Sequence, residues 1–168
     1  MKGPEIDIRP DVGSILFVCY GNICRSPMAE FIFRQMLQEA GVDSIEVLSA
    51  GLHAFPGNPS PFEAVQVMDE IGIDMSRHRA RSLTMDMGAR FEIVLLMDSY
   101  NLREYLTLFP RPRNKAGLLR TFSAVSPGRD IDDPYGEDIE AYRSCRQIIM
   151  ESLEGFLAEL LRLRQGEP

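Results

Sequence analysis

Apolar positions along the chain fall into two patterns that alternate. Residues 14–19 (SILFVC) are a short unbroken apolar run, the mark of a strand buried on both faces. After YGNICRSP the period changes: Met28, Phe31, Ile32, Met36 and Leu37 share one helical face, and Gly41 stands where a helix C′ residue belongs. Residues 45–50 (IEVLSA) predict a second strand. Ser60-Pro61-Phe62-Glu63 reads as a capping box with proline at the first helical position. The helix it opens carries Val65, Met68 and Ile71 and closes at Gly72. Residues 92–97 (EIVLLM) predict a third buried strand, and Asp98 a cap for a helix running to Phe109 before Pro110. Residues 116–122 (AGLLRTF) predict a weak fourth strand. From 139 to 163 a long helix sets Tyr142, Cys145, Ile149, Phe156, Leu160 and Leu163 on its apolar stripe. Residues 1–13 show no such pattern and read as a poorly ordered extension before one domain over 14–168.

Apolar strands alternating with helices predict an α/β fold of three layers, a parallel sheet with helices on both faces. In such sheets ligands bind beyond the carboxyl ends of the strands, near helix N-termini, and residues 19–27 occupy such a junction. Composition narrows the field. A chain of 168 residues with net charge −7 offers no broad basic face for nucleic acid, though one small anion pocket remains compatible with it. No apolar run is long enough to cross a bilayer. Three cysteines fit a reduced, cytoplasmic setting better than a disulfide framework.

The chemistry concentrates in Cys19-Tyr20-Gly21-Asn22-Ile23-Cys24-Arg25-Ser26-Pro27. Cysteine, five residues, arginine is a weak pattern alone. Its placement strengthens it, because Cys19 ends a buried strand and Arg25 begins a helix. Gly21 and Asn22 tolerate positive φ and let the loop curl with its amides inward, an anion cradle. Arg25 adds a planar fork for two phosphate oxygens. A helix N-terminus and a neighbouring arginine also favour the thiolate, the nucleophilic form of cysteine. Ser26 follows, with a hydroxyl to donate to that sulfur, and Pro27 suits a first turn. Read blandly, Cys19 is a core cysteine and Arg25 a surface cation; that leaves the Gly-Asn turn and Arg-Ser-Pro unexplained. Cys19 and Cys24 lack metal-ligand spacing, and two histidines make a zinc site a poor reading.

Transfer of a phosphoryl group to sulfur expels an oxyanion that needs a proton, so a carboxylic acid should lie over the site. GRDIDDPYG, residues 128–136, offers Asp133 beside Pro134 and Tyr135. Periodicity alone favours a solvated acidic loop there, with Asp130 and Asp132 competing equally.

VCYGNICRSP early in the chain together with DPY near its end resembles the low-molecular-weight protein tyrosine phosphatases. The likeness runs from Ser14 to about position 163 and includes Ser49-Ala50-Gly51, His78 in HRAR, and Met97-Asp98 followed by Asn101. It implies four parallel strands in one sheet, a phosphate-binding loop after the first, no metal and no cofactor. It implies hydrolysis of phosphotyrosine through a phospho-cysteine on Cys19, with Arg25 as phosphate clamp and Asp133 as general acid, then base. Tyr20, Gly21, Asn22, Ile23, Cys24 and Ser26 then form the phosphate and substrate loop, Tyr135 offers an aromatic wall, and Ser49 and His78 support the loop. The aromatic wall after the second strand is not cleanly matched, which leaves Phe55 or His53 for it. Gly136 replaces the second tyrosine of many animal members, which makes this a bacterial type.

The partners implied are phosphotyrosine proteins, a bacterial tyrosine kinase among them, with neither nucleic acid nor membrane insertion. Cys24, so near Cys19, suits either a protective disulfide or simple packing. Three rivals share parts of the pattern. Arsenate reductases of similar fold need further cysteines, and Cys145 reads as core. A non-catalytic phosphate-binding module would not retain both Cys19 and Asp133. Protein-arginine phosphatases stand closest; they typically carry threonine at the position of Ile23, and phenylalanine can occur at that of Tyr135.

Overall fold

A computed structural model describes residues 5–166. Four strands, β1 (Ser14–Cys19), β2 (Glu46–Gly51), β3 (Ile93–Leu96) and β4 (Ala116–Leu118), form one parallel sheet in the order β2-β1-β3-β4. Among the described residues five α-helices accompany them: α1 (Arg25–Glu39), α2 (Phe62–Asp69), α3 (Met85–Arg90) and α4 (Ser99–Leu108) between strands, and α5 (Ile139–Arg164) after the last. β1 is buried at every residue, and its alternate side chains enter two separate cores. Ile15, Phe17 and Cys19 join Met28, Phe33, Ile149 and Phe156 of α1 and α5. Leu16 and Val18 join Tyr105 and Phe109, beneath α4, on the other face. An apolar run without alternation is therefore what a central strand between two helical layers requires. The chain goes from β1 to β2 on one side and then to β3 on the other, so the order reverses at β1. Cys19 ends β1, which puts it at the switch point where parallel sheets open a crevice.

Several elements differ from expectation. Pro61, extended at ψ 153°, is itself the N-cap of α2, and Ser60 makes no cap bond. The capping box fails because proline takes the boundary position and leaves serine one residue outside. α2 buries Ala64, Val67 and Met68, while Val65 lies half-buried. Residues 119–122 turn into a 3-10 helix, so β4 is only three residues long. α3 has six residues, too few for a readable period; Thr84 caps it by accepting from the Met87 amide. Residues 5–13 are not a loose lead-in: Ile6 and Ile8 pack on the core, Val12 is buried, and the Asp7 amide reaches Asn114 O at 2.8 Å. Their isolated isoleucines lack a period, and only the finished sheet edge offers them a surface. Residues 1–4 lie outside the described residues. Gly41 and Gly72 do take positive φ at the ends of α1 and α2.

Lys115 is a buried cation that pairs with no carboxylate among the described residues. Its ammonium donates to Gly88 O at 2.6 Å, Phe91 O at 2.9 Å and Ala89 O at 3.2 Å, gathering the carbonyls that α3 leaves open. Lys115→Met should take that donor from Phe91 O and Ala89 O, while Gly88 O keeps its bond from the Tyr105 hydroxyl, and cost about 1–3 kcal/mol. A urea midpoint equal to that of the wild type would show that the carbonyls find other partners.

Candidate active site

The loop between β1 and α1 curls because one residue accepts a left-handed backbone. Asn22 has φ +55°, as its type permits, whereas Gly21 does not take positive φ. The expectation of two such residues is thus half met: a single left-handed residue suffices to turn the chain. Asn22 is fully buried and every polar group it carries is used. Its amide donates to Cys19 Sγ at 3.3 Å, and its Nδ2 donates to Ser26 Oγ and Ser49 Oγ, both at 2.9 Å. Its Oδ1 accepts from the Arg81 amide at 2.9 Å, and its carbonyl accepts from His78 Nε2 at 2.8 Å. A carbonyl only accepts, so His78 carries its proton on Nε2. Burial lowers the His78 pKa, against the Asn22 bond that raises it. Gly51 ends β2 against the loop; a Cβ there would lie 2.8 Å from Tyr20 O and 2.9 Å from Asn22 N, so the close approach demands glycine.

Cys19 Sγ lies 2.9 Å from Ser26 Oγ. Because Ser26 Oγ already accepts from Asn22, its proton is free to point at the sulfur. Two donors thus converge on Cys19, which is 3% exposed at the floor of the loop. Cys24, the N-cap residue of α1, contacts the Tyr142 hydroxyl at 3.8 Å, and burial pushes its thiol up to about 12. It keeps its proton at neutral pH, which slows the attack that a Cys19–Cys24 disulfide would need.

Arg25 is almost wholly buried and held from three sides. Nη1 donates to Asp98 Oδ2 at 2.6 Å and to Ile131 O at 2.9 Å, and Nη2 stands 3.5 Å from Asp133 Oδ2. Burial opposes its charge, but Cys19, Asp133 and Asp98 outweigh burial and raise its pKa further. Asp98 does more than cap α4. Oδ1 accepts from the Asn101 amide at 2.8 Å while Oδ2 grips the guanidinium, so one carboxylate ties a helix end to the clamp.

The three competing carboxylates separate in space. Asp130 caps α4 through Ser99 N at 2.7 Å and Ser99 Oγ at 3.0 Å and is thereby occupied. Asp132 is exposed. Asp133 alone meets Arg25; it is 47% exposed and accepts from the Tyr135 amide, a bond that shapes the DPY turn. Tyr135 stands 64% exposed beside it. Ile23 is half-buried in the loop, and Tyr20 lies at its rim.

One buried acid escaped the sequence reading. Glu30 of α1 accepts from Ser49 Oγ through Oε2 and pairs with Arg34 through Oε1 at 2.7 Å. At (i, i+4) from an arginine it resembles a solvated surface pair, and nothing local reveals that the carboxylate is buried.

The sequence model described as "Low molecular weight phosphotyrosine protein phosphatase" matches residues 14–165. The probable low molecular weight protein-tyrosine-phosphatase EpsP of Ralstonia solanacearum is 35% identical over 152 residues, covering 90% of this chain and 99% of that one. The low molecular weight protein tyrosine phosphatase of T. tengcongensis superposes with TM-score 0.80 at 35% identity, over 88% of this chain and 99% of that one. A YwlE arginine phosphatase, solved as a cysteine-to-serine variant with its active-site serine phosphorylated, superposes with TM-score 0.83 at 32% identity, over 92% and 99% of the two chains. With the match running from β1 to the end of α5, the chain belongs to the low molecular weight phosphotyrosine protein phosphatase family.

Proposed function

We propose that this protein hydrolyses phosphotyrosine in proteins, with Cys19 as nucleophile, Arg25 as phosphate clamp and Asp133 as general acid and then base. The observation that carries the reading is the convergence of Asn22 N and Ser26 Oγ on Cys19 Sγ, beside an Arg25 whose other face meets Asp133. Phosphate held over the loop places phosphorus above the sulfur. Sulfur attacks, the P–O bond to the aryl group breaks, and Asp133 gives its proton to the departing oxygen. Ser26 then stabilises the sulfur as it leaves, while ionised Asp133 takes a proton from the water that attacks phosphorus. The phosphorylated serine of the YwlE variant supports a phosphoryl group passing through this position. Tyr20, Gly21, Asn22, Ile23 and Cys24 complete the loop, Tyr135 lines the cleft, and Ser49 and His78 keep the loop in shape.

A second reading has a specific observation behind it, because a YwlE arginine phosphatase is among the solved relatives. Ile23 weighs against it. A β-branched apolar side chain beside the ester oxygen packs against an aryl ring and offers a planar guanidinium no hydroxyl. Phosphotyrosine peptides should therefore be cleaved with higher kcat/KM than phosphoarginine peptides, and phosphoserine, with its short stem, worst of all. Ile23→Thr changes both volume and polarity and should shift the preference toward phosphoarginine. Comparing kcat/KM on both peptides in the two proteins tests this; a wild type that already prefers phosphoarginine would reverse the assignment.

Among the described residues no helix is long and apolar enough to cross a membrane. A cytoplasmic setting, and a bacterial tyrosine kinase as the phosphorylated partner, belong to the same proposal. Three free cysteines support the first, and the likeness to EpsP and other bacterial relatives supports the second.

A further inference from the structure

We propose that His53 and Glu104 are positioning residues that hold Tyr20 as a wall of the cleft, so that the trio selects an aryl over an alkyl phosphate. This deepens, and rests on, the phosphatase reading above. Tyr20 directly follows Cys19, and its exposed ring is taken to flank an ester bound over the sulfur. It is 47% exposed, and a half-exposed ring on a loop would ordinarily sample several rotamers. Here it stacks on the His53 ring, with centroids 4.7 Å apart and planes tilted by 30°, the spacing of an offset aromatic pair.

His53 is itself held at both ends. Its amide donates to Tyr20 O at 2.8 Å, and its Nε2 pairs with Glu104 Oε1 at 2.7 Å. The histidine side chain is 43% exposed, so core burial does not explain its fixed position. Glu104 lies on α4, the helix whose cap, Asp98, grips Arg25. One helix therefore references both the phosphate clamp and the wall above it. Phe55, the other candidate for the wall after β2, is 76% exposed and has no ring partner among the described residues.

The chemistry selects by shape. Phosphate alone touches only the loop. An aryl ester carries a flat face out of the loop past Tyr20 and Ile23, whereas an alkyl ester has no face to stack. Removing the brace should leave phosphate binding intact and weaken the grip on the ring.

Inorganic phosphate and phenylphosphonate, used as competitive inhibitors of phenyl phosphate hydrolysis, separate these effects. His53→Ala should weaken phenylphosphonate by about 2- to 10-fold, the scale of one ring contact, with inhibition by inorganic phosphate unchanged. Tyr20→Ala should do at least as much, and adding His53→Ala to it should cost nothing further, since His53 acts only through Tyr20. Glu104→Ala should follow His53→Ala, and Glu104→Gln, which keeps an acceptor oxygen, should restore most of the loss. Equal weakening of both inhibitors, additive losses in the double variant, or an unchanged ratio in His53→Ala would each overturn the proposal while the phosphatase reading stands. A wild type unable to cleave phenyl phosphate would remove that reading and this proposal together.

Discussion

Cys19→Ser should abolish turnover of aryl phosphates, by on the order of 10⁴–10⁶-fold in kcat, the scale seen when a catalytic nucleophile is removed. Serine keeps the shape of the site. The Asn22 amide and Ser26 hydroxyl still have an oxygen to face, and Arg25 remains pinned by Asp98 and Ile131 O. What changes is the nucleophile: a serine hydroxyl is far less acidic than a thiol, and among the described residues the hydrogen-bond partners of this position, Ser26 Oγ and Asn22 N, are not bases. Binding should therefore survive while turnover stops. Calorimetric titration with vanadate or inorganic phosphate should give affinities near those of the wild type, with phenyl phosphate hydrolysis at background. Near-wild-type turnover by the serine variant would end the covalent mechanism. Loss of anion binding along with activity would mean that the sulfur also organises the loop.

Asp133→Asn should slow phenyl phosphate hydrolysis by about 10²–10⁴-fold, the usual worth of a positioned general acid. Phenolate is a poor leaving group and needs the proton, so the loss should shrink with a nitrophenyl ester, whose anion leaves unaided. That dependence on leaving group separates an acid from a residue that merely orients Arg25, because lost orientation would hurt all esters alike. Asp130→Asn is the internal control. Asp130 accepts two bonds from Ser99 at the start of α4, and its removal should loosen that helix rather than deprive the leaving group of its proton. A leaving-group-dependent loss at Asp130 or Asp132 instead of Asp133 would move the role to that residue.

The contrast between these carboxylates shows what can be read from neighbours along the chain. Asp130, Asp132 and Asp133 lie in one polar loop without a period, and composition cannot rank them. Resemblance to a family selected Asp133, and of the three only Asp133 comes within 3.5 Å of Arg25. The same limit explains the misread lead-in and the missing α3. Ile6 and Ile8 pack on the core, and the edge they reach does not exist until β4 is in place. The failed cap at Ser60 is of another kind: the right residue types stood one place out of phase with the helix start.

The sequence by itself determined the strands, the long helices and the whole nucleophile loop. Each of these is a local event: apolar runs and helical stripes report burial directly, and Cys19 and Arg25 sit at the two ends of one strand–turn–helix unit. Only the tertiary structure decided who meets whom. Asn22 meets Ser49, His78 and Arg81, Arg25 meets Asp98 and Asp133, and Glu104 reaches His53 beneath Tyr20. These partners come from the ends of β2 and β3 and from segments far apart in the chain. Their encounter depends on parallel crossovers that bring all the carboxyl ends to one edge, and periodicity carries no record of that distance. A local pattern can therefore announce the Cys19–Arg25 loop, while the groups that surround it, Asp98, Asp133 and His78 among them, are brought there by the fold.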